Sequence, residues 1–219
     1  MKHASPSERP VAQATQKSGA PGYLWWLVGA MALIELILSL SETGLFGGPD
    51  LRWSAIAIGG FWPPLLNGEV APLYAGQAAV MFLSYAFLHG GLAHLAMNGV
   101  VLLSLGKFVS AHVGAARTLL VLFLSALAGA ACFALLSSGD APMIGASGAA
   151  FGLIGLWQAI EARARRRAGL SLRPIFMAML ALIVANIALF VLFAGGLAWQ
   201  AHLGGWIVGW LMGHGFARR

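Results

Sequence analysis

Six stretches of mostly apolar residues recur along this chain, each close to the roughly 20 residues that one membrane-crossing helix requires. They cover about 24–46, 80–106, 114–137, 144–162, 174–193 and 199–216. Inside hydrocarbon every backbone N–H and C=O must be satisfied within the protein, and at this segment length the helix is the structure that does so. The expected fold is therefore all-α, a polytopic membrane protein with six helices in a bundle. Composition agrees. Charged residues make up 9% and hydrophobic residues 59% of the 219, where a soluble domain carries about 25% charged residues. Disorder, collagen-like repeats and coiled coils are excluded on the same grounds. The single cysteine, Cys132, excludes an intrachain disulfide framework and a Cys-rich metal site.

What lies outside the spans sets the orientation. Residues 1–22 are rich in Ser, Pro, Gln, Lys and Arg without apolar periodicity and read as a disordered tail. No apolar core follows their charges closely enough for a cleavable signal peptide. The membrane domain is expected over 23–217. Of the 13 Lys and Arg residues, all but Arg52 fall on one side if the spans alternate. The positive-inside rule then places both termini in the cytoplasm of a multi-pass protein of the inner (plasma) membrane. The net charge of +6 is thus a topology signal, and no nucleic-acid partner is needed to explain it. The loop at about 47–79 holds Trp53, Phe61, Trp62, Pro63, Pro64, Leu65, Leu66 and Tyr74. A long non-cytoplasmic loop that apolar is expected to lie in the membrane interface as a partly embedded hairpin.

Polar groups inside spans are costly, so each asks for a function. The second span holds His89, and His94 and Asn98 four residues apart on one helical face. Interhelical hydrogen bonding is the plain alternative there. The fourth span opens with Gly145-Ala146-Ser147-Gly148, followed by Phe151 and Gly152. Small residues allow close helix packing, yet Ser147 lies at a helix start, where unpaired N–H groups favour developing negative charge. The sixth span carries His202 one turn before Gly205, Gly209 and Gly213, a smooth seam that matches Gly148, Gly152 and Gly155 of the fourth. If the seams meet, Ser147 and His202 share a depth near the non-cytoplasmic side, and a serine within reach of an imidazole is an activated nucleophile. Glu35 and Asn186 are intramembrane polar residues without an evident partner and read as helix-bridging.

The three motifs, in this order on spans two, four and six, resemble the rhomboid intramembrane serine proteases. The resemblance covers all six spans and the long first loop, without an appended seventh span or a sizeable cytosolic domain. It implies that Ser147 is the nucleophile and His202 the general base of a dyad with no acidic third member; the only aspartates, Asp50 and Asp140, lie outside the spans. It implies further that the Ser147 backbone N–H with His94 and Asn98 holds the oxyanion, a role suited to donors fixed in a water-poor site. Gly145, Gly148, Phe151, His89 and Gly205 would support them. Gly145 would leave space for the scissile backbone, and Phe151 stands where relatives often have a Tyr against the imidazole. The Trp-Arg pair that many relatives carry before the second span is replaced by Val80-Met81, which leaves the anchoring of the first loop open. The implied activity is hydrolysis of peptide bonds in or near transmembrane segments, with transmembrane proteins as substrates, the lipid bilayer as surroundings, and neither metal nor cofactor.

Rival readings lack their residues. A zinc protease needs His-Glu-x-x-His and an aspartyl intramembrane protease two intramembrane Asp; neither is present. A site of His89, His94 and His202 for a metal has no acidic outer shell. A transporter would show broken helices and paired repeats. The alternative from another class is a non-proteolytic rhomboid-like protein that binds and escorts transmembrane clients, although such relatives usually lose the serine or the histidine.

Overall fold

The computed structural model describes residues 19–46, 48 and 50–216, so most of the expected tail, 1–18, and the terminal Arg218 and Arg219 lie outside the described residues. The architecture is all-helical. Long helices α1 (Gly22–Glu42), α5 (Leu92–Val113), α6 (Ala115–Leu136), α7 (Ser147–Arg167), α8 (Arg173–Leu192) and α9 (Trp199–Gly215) are joined by shorter ones, α2 (Asp50–Gly59), α3 (Pro63–Asn67) and α4 (Gln77–Ser84). Helices α1, α5, α6 and α8 are long and apolar enough to cross a membrane on length and composition alone. The other two miss that measure for visible reasons. Helix α7 runs on into Arg163, Arg165, Arg166 and Arg167, and α9 has 17 residues.

The second expected span is the one the structure redraws. The apolar run at 80–106 is not one helix. Helix α4 ends in a 3₁₀ turn, Tyr85–Phe87, and α5 begins at Leu92 after a break. Gly90-Gly91 is the cause: Gly91 has φ +118°, a conformation that L side chains rarely adopt. His94 consequently sits in the first turn of α5 and not in mid-helix.

The main cluster of buried apolar side chains lies among α1, α5, α6 and α7, and where α6, α7 and α9 pack glycine sets the spacing. A Cβ on Gly205 would strike the Gly148 carbonyl, one on Gly209 the Gly152 carbonyl, and one on Gly213 would lie 2.5 Å from the Ala159 Cβ. The paired numbers rise together, so α7 and α9 run parallel with their backbones in contact, the two seams read from the sequence facing one another. Trp206 Nε1 donates to Gln158 Oε1 at 2.7 Å and ties the same pair. Helix α8 is different. Only Ile175 of its residues is buried, and Phe176, Leu180, Val184, Ile187 and Val191 are exposed, as suits a helix facing lipid.

The first loop is folded, with α2 and α3 inside it, and it is anchored by Arg52. The guanidinium donates to both carboxylate oxygens of fully buried Glu35, at 2.9 and 3.0 Å, to Glu42 at 2.6 and 3.1 Å, and to the His89 carbonyl at 2.7 Å. Ser39 Oγ adds a hydrogen bond to Glu35 at 2.9 Å. Hydrogen bonds to Glu35, then to Glu42, push the Arg52 pKa further above its already high value, so the group is charged at any accessible pH. Glu35, which the sequence left without a partner, is thus the buried end of a clamp joining α1, α2 and the segment before α5. Val80 is exposed, while Met81 is buried in an apolar cluster with Phe61 and Leu65 of the loop, so that position adds packing to the loop and no charge. At its far end the loop meets the segment before α7, where Phe61 and Met143 exchange backbone hydrogen bonds of 2.9 and 2.8 Å.

Candidate active site

Ser147 is the first residue of α7 and His202 the fourth of α9. The parallel seam brings their helix ends together, since Gly148, next to Ser147, touches Gly205, one turn after His202. Phe151, one turn after Ser147 and on the same face of α7, stacks on the His202 imidazole with centroids 4.1 Å apart and planes at 7°. The aromatic ring fixes the plane of the imidazole. Among the described residues the Ser147 hydroxyl has no hydrogen-bond partner, and the contact between nucleophile and base is often loose until substrate fills a site.

The protonation pattern of His202 follows from its neighbour. Asn186 Nδ2 donates to the Leu182 carbonyl at 2.9 Å, which turns the amide oxygen outward. That oxygen lies 2.6 Å from His202 Nδ1. A carbonyl oxygen only accepts, so Nδ1 carries the hydrogen and Nε2 keeps the lone pair. An imidazole in this tautomer presents a base at Nε2. Asn186 therefore has a partner that sequence reasoning missed. The signal was available: Asn186 and His202 lie eight residues on either side of Ala194, in the turn between α8 and α9, so a simple helical hairpin sets them level.

Opposite stand His94 and Asn98. Gly145, with φ +117°, passes so close that a Cβ there would sit 2.7 and 2.8 Å from His94 Cε1 and Nε2 and 3.7 Å from Asn98 Nδ2. Its backbone conformation and the nearness of the His94 ring each require glycine at this position. The Gly145 N–H donates to the Tyr85 carbonyl at 2.9 Å, and Tyr85 in turn bonds the Ala126 carbonyl through its hydroxyl at 2.9 Å. The loop ahead of Ser147 is thereby pinned to the core. The Gly90 N–H points at His94 Nδ1 across 3.4 Å, which makes Nδ1 the acceptor and leaves Nε2–H as a donor facing Gly145. Asn98 is buried and its Nδ2 has no hydrogen-bond partner among the described residues, an idle donor in a place where idle donors are costly. His89 is buried, edge-on to His94 with centroids 5.0 Å apart, and its carbonyl accepts from Arg52.

A cavity of about 410 Å³ lies beside His202, between α8 and α9 with Phe151 of α7 in its lining. Its walls are apolar, with Met179, Ile183, Phe190, Trp199, Leu203 and Trp206 among them, and His202 and Asn186 are the polar groups that line it. Among the described residues no group of three or more His, Cys, Asp or Glu is arranged to hold a metal ion.

Comparison with known proteins bears on the same residues. A family model described as the Rhomboid domain matches residues 76–219, which takes in α4 to α9 and each of the site residues above. RHOMBOID-like protein 4 of Arabidopsis thaliana is 34% identical over 146 residues, covering 66% of this chain. The matched part is 36% of that protein's length, so the chain spans about a third of the curated relative it matches.

Proposed function

The chain belongs to the rhomboid family, and from that premise we propose that it is an intramembrane serine endopeptidase cutting peptide bonds in or near transmembrane segments of other membrane proteins. The observation that carries this reading is the state of His202: its plane is set by Phe151, which shares a face of α7 with Ser147, and its Nδ1–H is committed to Asn186, which leaves Nε2 with the lone pair.

In the proposed reaction Ser147 Oγ attacks the scissile carbonyl while His202 Nε2 takes its proton. The carbonyl oxygen becomes an oxyanion, bonded by the Ser147 backbone N–H, His94 Nε2–H and Asn98 Nδ2–H. The imidazolium returns the proton to the leaving amine as the C–N bond breaks, giving an acyl-enzyme. Water, deprotonated by His202, then attacks the ester and frees Ser147. Developing charge at the start of α7 also meets the unpaired N–H groups of its first turn. The positive-inside pattern supports a plasma-membrane protein whose site opens toward the non-cytoplasmic face.

The test is labelling of the purified protein by a fluorophosphonate, together with cleavage of a single-span reporter in proteoliposomes. Wild type is expected to label and cut, and Ser147→Ala and His202→Ala to do neither. Labelling that survives in Ser147→Ala removes that serine from the mechanism. A membrane client that co-purifies uncut with wild type and mutant alike favours an escort over a protease.

A further inference from the structure

Asn186 is an amide in the middle of a helix that is otherwise given over to lipid-facing apolar residues. Such a group in a span is expensive unless it is bonded and used. Both of its ends are committed, Nδ2 to the helix's own Leu182 carbonyl and Oδ1 to His202 Nδ1. Around this contact the two helices stand apart, with the 410 Å³ apolar cavity between them. The hydrogen bond therefore bridges two elements that are otherwise loosely joined, and its α9 end is the imidazole that bears the proposed base.

An imidazole without such a partner distributes its hydrogen between Nδ1 and Nε2, and in the Nε2–H form it cannot accept the serine proton. A fixed acceptor at Nδ1 removes that form and also steadies the imidazolium once it is made. We propose that Asn186 is a positioning residue of the site, which holds His202 in the Nδ1–H form through a hydrogen bond from α8 and so makes the readiness of the base depend on where α8 stands. It accepts without carrying charge, which suits a site with no aspartate in reach. Its kinetic consequence rests on the proteolytic reading; its effect on the tautomer does not.

Asn186→Leu and Asn186→Asp separate this from simple bridging of helices. Leucine suits a lipid-facing span, so the variant is expected to fold, which its circular dichroism and melting curve check. With ¹⁵N-labelled histidine rings in the full chain, and the His202 signals assigned by their loss in His202→Gln, wild type should show a protonated Nδ1 and a bare Nε2. Asn186→Leu should show a mixture of tautomers, and Asn186→Asp, whose carboxylate accepts at the same nitrogen, should restore the wild-type pattern. In reporter cleavage kcat should fall roughly 10- to 100-fold in Asn186→Leu, the worth of a hydrogen bond to a charged ring, with KM little changed, and recover most of the loss in Asn186→Asp. An Nε2–H wild type, or an Asn186→Leu protein with the wild-type tautomer and kcat, overturns the proposal. If wild type proves unable to cut, the proteolytic reading fails, while the ring spectra still decide what Asn186 does to His202.

Discussion

Gly205→Ala tests the packing on which the whole site depends. The added methyl would point into the backbone of α7, 2.7 Å from the Gly148 carbonyl carbon and 3.2 Å from its Cα, and closer still to the carbonyl oxygen. These are backbone atoms, so no side chain can swing aside and the helices must separate. Overpacking of this kind costs about 1–3 kcal/mol, and the better helix propensity of alanine returns at most about 1 kcal/mol. A net loss of roughly 1–2 kcal/mol corresponds to about 2–8 °C in Tm for a chain of this size. Activity should suffer more than stability. Gly148 follows Ser147 directly and Gly205 lies one turn from His202, so separation of the seam opens the distance between hydroxyl and imidazole. A misplacement on the order of 1 Å can cost about a hundredfold in rate. The assay is thermal unfolding in detergent beside the rate of fluorophosphonate labelling, with Gly29→Ala as control. Gly29 sits in α1, where an added methyl would meet nothing within 4 Å, so that change should leave both readings near wild type. A Gly205→Ala protein that melts and labels like the control would mean that α7 and α9 are not in backbone contact.

Two further outcomes follow from the clamp and from the idle donors. Arg52→Gln leaves Glu35 fully buried with Ser39 as its remaining partner and should cost about 3–5 kcal/mol, whereas Glu35→Gln leaves the guanidinium still paired with Glu42 and should cost less; equal losses in detergent melts would refute the asymmetry. Removing an oxyanion donor should lower kcat on a membrane reporter by roughly 10²–10³-fold with KM little affected, in Asn98→Ala and in His94→Ala, and an unchanged kcat in either takes that residue out of the proposed oxyanion hole.

The parts of the fold set by bulk hydropathy were legible in the sequence to within a few residues: α6 occupies Ala115–Leu136 where 114–137 was expected, and α8 occupies Arg173–Leu192 where 174–193 was expected. The glycine seams were legible because spacing by four has one geometric meaning on a helix. What hydropathy could not resolve was the break at Gly90-Gly91, since the residues on both sides are equally apolar and the interruption is a matter of backbone dihedral angle. Partners of single polar residues were the other gap. Glu35 and Arg52 are 17 positions apart and belong to different helices, and nothing in the local pattern of either reports the other. Asn186 and His202 were more accessible, because only a short turn separates α8 from α9.

The placement of the site has a reason in parity. His94, Ser147 and His202 stand in the first turns of α5, α7 and α9, and one long helix, α6 or α8, intervenes between each successive pair. Helices that alternate in direction therefore point all three N-termini the same way, and a motif at the start of each reaches a common depth without any long loop to carry it. Each of those ends leaves unpaired N–H groups and the positive pole of a helix dipole. A negative charge forming among them is favoured before any side chain acts, and a positive charge on His202 is opposed. Phe151 and Asn186 meet that opposition from the α7 and α8 sides, one by holding the ring in plane and the other by accepting its hydrogen. An acidic residue in place of Asn186 would hold the ring as well, but it would add to the bilayer a charge that the proposed reaction needs only at its imidazolium stage. A neutral acceptor on a lipid-facing helix gives most of the orientation without that standing cost.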